Sequence, residues 1–189
     1  MLNHPLTPEQ VTMYDTLATT WQGVLSNVEH AMVAANSKQN ADARKRALSA
    51  FWGAHQRFFN SVLTSLSVPS LLKDVEAELQ AHHSIVMQLV NTNEATQERR
   101  MAQAAEAGQE LEDIDLSPRD VLMQYVQNSF PTTLYEEYLD DEGNRQTRPV
   151  FDSAGNAVQD PLAVAMRDDL LIRLATLSVP EGVLEQVIN

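Results

Sequence analysis

Residues 51–66 read FWGAHQRFFNSVLTSL and set His55, Gln56 and Arg57 among four aromatic side chains within nine positions. These residue types suit two kinds of chemistry. An imidazole moves protons near neutral pH or binds a ligand, and a guanidinium pairs with anions. At 100° per residue, Phe51, Trp52, Phe58, Phe59, Val62, Leu63 and Leu66 fall within one arc of about 140°. Gly53, Gln56, Arg57, Asn60 and Thr64 fall opposite. The aromatics therefore read mostly as core, and four large rings on one stripe bury several hundred Å² at roughly 25 cal/mol per Å². His55 lies in the middle of the apolar arc. It is either a neutral core side chain hydrogen-bonded to a backbone or carboxylate partner, or a member of a site. Gln56 and Arg57 point away from the core, towards another domain or a ligand.

Other polar groups announce less. Asn91-Thr92-Asn93-Glu94 has the composition of a helix cap. Arg44-Lys45-Arg46 and Arg99-Arg100 read as solvated helix faces. Asp140-Asp141-Glu142 lies at a hairpin turn, the wrong context for holding Mg²⁺. A hydrolase built on His55 with an acid such as Glu94 lacks any third group. There is no GxxxxGK[ST], no acidic helicase box after a strand, and none of the six glycines forms a GxG, so no phosphate-cradling loop is present. No residue is assigned as catalytic or metal-binding.

The elements that position these groups are mainly helical. Thr7-Pro8-Glu9-Gln10 starts a helix, with threonine as cap, proline in the first turn and glutamine three residues after the cap. Tyr14, Leu17, Ala18, Trp21, Leu25, Val28 and Met32 then recur at helical steps to about residue 35. Residues 36–40 form a polar break. A second helix runs from about Ala41 to Leu66, Pro69 interrupts it, and Leu71, Leu72, Val75 and Leu79 mark a third. Residues 84–90, SIVMQLV, read as a buried parallel strand flanked by helices, the unit of a doubly wound α/β domain. An acidic linker, GQELEDID, leads to a helix with Ser117 as cap and Val121, Leu122, Tyr125 and Val126 on its buried side. LYEEYL, the turn Asp141-Glu142-Gly143-Asn144 and RQTRPVF form a β-hairpin, with Pro149 marking an edge. After a second turn, DSAGN, a strong helix starts at Asp160-Pro161 and carries Leu162, Met166, Leu170, Leu174 and Leu177. The chain stops inside the beginning of one more helix. No internal repeat is evident.

The totals bound the function. The 189 residues allow one domain with a real core, or one and a half small ones. Absence of cysteine removes disulfides, thiolate nucleophiles and cysteine zinc sites. With no long apolar run and no secretory start, the expected address is cytoplasmic, without a membrane partner. A net charge of −13 speaks against tight DNA binding by this chain alone, because phosphate contacts need a basic excess.

F-W-G-A-H-Q-R-F-F, followed some twenty-five residues later by S-I-V-M-Q-L-V-N-T-N-E-A, resembles the strawberry notch family. These are superfamily 2 helicase-like proteins of animals and of bacterial and phage relatives, whose pattern is close to F-W-x-x-H-Q-R-F-F, a helix, and a strand running into x-T-x-E-A. A weaker likeness to bacterial and phage members continues through SPRD, NSFP, the YEEYLDDEGN hairpin and MRDDLLIRL, covering most of the chain. The resemblance implies an α/β, strongly α-rich chain, with long N-terminal helices leading into a partial RecA-like second motor domain of P-loop NTPase type. On that reading residues 1–82 are the helical entry and 83–107 the first strand, turn and helix. Residues 108–189 are a helix, hairpin and helix insertion. Asn91, Thr92 and Asn93 then occupy the turn that touches the nucleic-acid backbone, where a threonine hydroxyl and helix-N-terminal N–H groups suit a phosphate oxygen. A glycine stands at the Asn93 position in animal members, and asparagine also tolerates left-handed angles.

The resemblance further implies a segment of a DNA helicase or translocase from a bacterium, phage or mobile element, in a DNA-modification or anti-restriction setting. It binds DNA weakly alone and partners the missing motor domain of the same polypeptide. No cofactor is expected on this chain; ATP and Mg²⁺ belong to the parent protein. The alternative is a non-enzymatic, acidic α-helical interaction module.

Overall fold

The computed structural model describes residues 5–86 and 117–188 of the chain. Helix α1 spans Pro8–Ala34, and the capping box written into the sequence is present. The Gln10 amide N–H donates to Thr7 Oγ1 at 3.3 Å, and the Thr7 N–H donates to Gln10 Oε1 at 3.0 Å. The helix buries Leu17, Trp21, Val24, Val28, Ala31 and Met32. It ends at Asn36, whose φ of 54° closes a Schellman motif: the Ser37 N–H reaches Met32 O and the Asn36 N–H reaches Val33 O.

Helix α2 spans Ala41–Gln80 without interruption. The expected break at Pro69 is therefore a correction, and its physical reason is visible. Proline offers no N–H, so a carbonyl in the preceding turn loses its helical donor. Side chains supply what is missing. Thr64 O accepts from Ser67 Oγ at 2.7 Å, Ser65 O from Gln186 Nε2 at 3.2 Å, and Leu66 O from Gln10 Nε2 at 2.8 Å. The helix stops in a second Schellman motif with His82 at φ 62°.

The buried face of α2 is also rotated from the expected arc. Phe51, Phe58, Phe59, Val62 and Leu66 are buried, but Trp52 is 53% and Leu63 43% exposed. The core side instead takes in Ala47, Ala54 and Ser65. Counting only large apolar side chains missed these small residues. Helix α3, Pro118–Ser129, packs against α2, and Ala47 lines a pocket together with Ser129 at the end of α3. In α3 Leu122, Tyr125 and Val126 are buried as expected, whereas Val121 is only half-buried and Pro118 is buried as well; Ser117 holds the cap position but its hydroxyl makes no cap hydrogen bond.

Helix α4, Pro161–Ala175, starts where Asp160 Oδ1 accepts the Ala163 N–H at 2.8 Å. Leu170 and Leu174 are buried, whereas Leu162 is 57% exposed and Ala163 faces the core instead. α1 packs on α2, α2 on α3, α3 on α4 and α4 on α1, closing a ring of helices around one core shared by residues from both ends of the chain. Helix α5, Val183–Ile188, packs against α2. Among the described residues, no helix is long and apolar enough to cross a membrane.

The expected hairpin is present. Strand β1, Tyr135–Leu139, pairs antiparallel with β2, Arg145–Pro149, with Tyr135 opposite Pro149 and Leu139 opposite Arg145. It docks on the α1–α2 loop: the Tyr135 N–H donates to Ala35 O at 2.8 Å, and Asn40 Nδ2 donates to Thr147 O at 2.9 Å. A short repeat, unnoticed in the sequence, governs this region. Asp140–Asn144 and Asp152–Asn156 both read D-x-x-G-N, and both fold alike. In each, the aspartate Oδ1 accepts the asparagine N–H at 2.8 Å, and the glycine has φ of 79° or 83°. Beneath the two turns three backbone hydrogen bonds form a closed ring. Leu134 N–H reaches Val158 O, Val158 N–H reaches Val150 O, and Val150 N–H reaches Leu134 O, at 2.8–2.9 Å.

The architecture among the described residues is thus helix-rich with one small antiparallel sheet. Ser84, Ile85 and Val86, the start of the expected buried strand, have no regular structure, and Val86 is 94% exposed. Ser84 is also exposed and Ile85 only half-buried, so these residues are not the start of a buried strand. The remainder of that stretch, residues 87–90, lies outside the described residues.

Candidate functional site

His55 occupies the wall of a groove between α1 and α2. Its ring centroid lies 4.7 Å from Phe59, 5.3 Å from Trp21, 5.4 Å from Trp52 and 6.1 Å from Phe51. The imidazole is half-buried and has no hydrogen-bond partner among the described residues. Its surroundings are rings rather than the backbone or carboxylate partner expected of a core histidine. Burial penalises the charged form, which pulls its pKa below the ordinary 6.5. At pH 7 the ring is neutral and offers one donor and one acceptor.

The groove has a volume of ≈ 450 Å³. Trp21 and Phe51 form its floor, the exposed Trp52 its rim, and Asp15, Thr19 and Gln22 its α1 side. That polar side was legible in principle, since Asp15, Thr19 and Gln22 recur at steps of four and three beside the apolar stripe of α1. Gln56 and Arg57 are exposed and do not line the groove. Arg57 folds back along its own helix: a Cβ placed on Gly53 would lie 3.4 Å from Arg57 Nη1. Of the H-Q-R triplet, only His55 meets the groove.

This arrangement is suited to binding. Flat aromatic walls and a polar α1 side can hold a planar group, but His55 has no hydrogen-bonded nucleophile or acid among the described residues. No group of three or more potential metal ligands occurs among them either. Glu94, the acid paired with His55 in the hydrolase reading, lies outside the described residues, as do Asn91, Thr92 and Asn93. Asp140, set aside as a solvated turn, has its carboxyl held below the ordinary 3.8 by the Asn144 N–H, with further hydrogen bonds from Gln146, Asn144 and Glu142 acting with it and desolvation against it.

A depressed histidine pKa predicts a pH effect of known sign. Above about pH 6.5 both folded and unfolded chains hold His55 neutral; below that value the unfolded chain takes up the proton first, so stability falls with pH until the folded histidine also titrates. The His55 ring protons in NMR titrate with a midpoint below 6.5, and His55→Phe flattens the pH dependence of the urea midpoint across that window. A midpoint at or above 6.5 contradicts this placement.

No family model matches the chain, and no solved structure matches it. Similarity does appear among curated proteins. The chain is 29% identical over 107 residues to Protein FORGETTER 1 of Arabidopsis thaliana, covering 57% of this chain and 8% of that protein. It is 26% identical over 126 residues to Protein strawberry notch homolog 1 of Gallus gallus, covering 67% and 10%. Against Protein strawberry notch homolog 2 of Mus musculus it is 28% identical over 130 residues, covering 68% and 9%. The likeness is distant and partial, and it supports the strawberry notch family at most. The chain spans about a tenth of the length of the curated relatives it matches.

Proposed function

We propose that the chain is a segment of a strawberry notch–type superfamily 2 DNA helicase or translocase. The observation that carries this reading is the likeness to strawberry notch homologs across two thirds of the chain. In this reading the helical bundle and hairpin form a packing surface for the motor, and residues 83–107 enter its RecA-like second domain. Thr92, between Asn91 and Asn93, gives its hydroxyl to a backbone phosphate. ATP and Mg²⁺ act in the longer protein, and this chain by itself does not hydrolyse ATP. A phage or mobile-element setting, with DNA modification or anti-restriction, belongs to the same proposal.

The groove favours a second reading, an acidic helical interaction module. Trp52, at 53% exposure on the groove, and Leu63, at 43% about three turns further along α2, present apolar surface that a partner protein would cover. The two readings part on ATP hydrolysis. DNA-stimulated turnover is measured for this chain and for the reading frame that contains it. The motor reading expects turnover only in the longer protein, and Thr92→Ala weakens its activation by DNA about tenfold, the loss of one charge-assisted hydrogen bond. A longer protein that is silent towards ATP, or a frame no longer than this chain, ends the motor reading and leaves the module.

A further inference from the structure

A second pocket, of ≈ 260 Å³, lies where the first turns of α2 meet the end of α3 and the start of β1. Its polar lining is Arg46, Tyr135, Ser37, Ser129 and Thr133, and no carboxylate lines it. That composition is unusual for this chain, in which 26 acids face 13 lysines and arginines. One arginine, several hydroxyls and no acid suit this pocket to an anion.

Most of these donors keep capacity to spare. Tyr135 is only 7% exposed, and its hydroxyl accepts from Arg46 Nη2 at 3.3 Å. The phenolic proton has no acceptor among the described residues. Ser37 is committed, because its hydroxyl donates to Met32 O at 3.3 Å. The Ser129 and Thr133 hydroxyls have no partner among the described residues. Arg44, Lys45 and Arg46 form no ion pair there either, although Asp42 lines the adjoining surface groove together with Lys45 and Arg46. The glutamates of β1 are occupied elsewhere: Glu136 by Arg148 at 2.8 Å and Glu137 by Arg145 at 3.9 Å.

We propose that this pocket takes a phosphate group, supplied by the backbone of a nucleic acid. Arg46 provides the charge, the Tyr135, Ser129 and Thr133 hydroxyls provide neutral donors, and Lys45 beside the pocket meets the next phosphate along the strand. A free phosphate would satisfy the pocket but not the adjacent cations, and this favours the polymer. The inference rests on the nucleic-acid reading above only for the source of the phosphate.

The test uses the full 189-residue chain. A fluorescein-labelled single-stranded oligo-dT and a duplex of equal length are titrated by anisotropy at low salt, and inorganic phosphate is titrated by NMR. Arg46→Gln weakens oligonucleotide binding about tenfold and lowers the salt slope by about one. Tyr135→Phe, which keeps the packed ring, weakens binding about threefold, and both variants retain the circular dichroism and melting temperature of the parent. Equal affinity in both variants overturns the pocket. Phosphate shifts without oligonucleotide binding overturn the polymer source, and no binding of either probe overturns the whole. Loss on Thr92→Ala with none on Arg46→Gln sinks the pocket but leaves the proposed turn contact standing.

Discussion

Trp21→Ala costs this chain about 4 kcal/mol, in the range typical of a large buried aromatic cut back to a methyl. The indole is 1% exposed and sits at the crossing of three helices. It meets Phe51 at 5.3 Å and Phe58 at 5.4 Å edge-on, and Tyr125 of α3 at 6.0 Å. Removing it leaves a cavity that rigid neighbours cannot fill, and a domain with some 5–15 kcal/mol in total loses a large share of its stability. Trp21→Phe costs less, about 1–2 kcal/mol. It keeps most of the volume and deletes an indole N–H that is buried with no hydrogen-bond partner among the described residues. Urea denaturation of both variants checks the order, and a loss below about 2 kcal/mol for Trp21→Ala would remove this residue from the centre of the core. The same substitution opens the groove floor, so the His55 pKa should climb back towards its ordinary value.

The second large effect belongs to a half-buried glutamine. Gln10 closes the capping box of α1 with its Oε1 and holds Leu66 O with its Nε2. Gln10→Ala removes both, at about 2 kcal/mol, the sum of a cap interaction and a part-buried hydrogen bond. Gln10→Glu separates them: the carboxylate still accepts from Thr7 but cannot donate to Leu66. Its loss should therefore approach that of the alanine variant only if the Leu66 bond dominates. Thermal melting decides, and a Gln10→Ala variant as stable as the parent would show the clasp to be idle.

Local signals were legible in the sequence. The Thr7-Pro8-Gln10 start, the Asp160-Pro161 start and the DDEGN hairpin each depend on residues a few positions apart, and each appears where their chemistry requires. What the sequence concealed depends on distant partners. Pro69 reads as a helix breaker because the donors that rescue its turn come from Gln10 and Gln186. Trp52 reads as core because the periodic pattern does not reveal that α3 approaches the alanine side of α2. The groove and the Arg46 pocket were hidden for the same reason. Asp15 joins His55, and Tyr135 joins Arg46, only through packing between elements.

The glutamine clasp also orders events in time. A chain is made from its N-terminus, so Gln10 is already present when Leu66 leaves the ribosome. Ser65 O must wait for Gln186, 121 residues later. Until then water has to hold that carbonyl, and the arrival of α5 displaces it. The helical hydrogen bonds of α2 join residues four apart, yet one carbonyl near its middle can find its donor only after nearly the whole chain has been made.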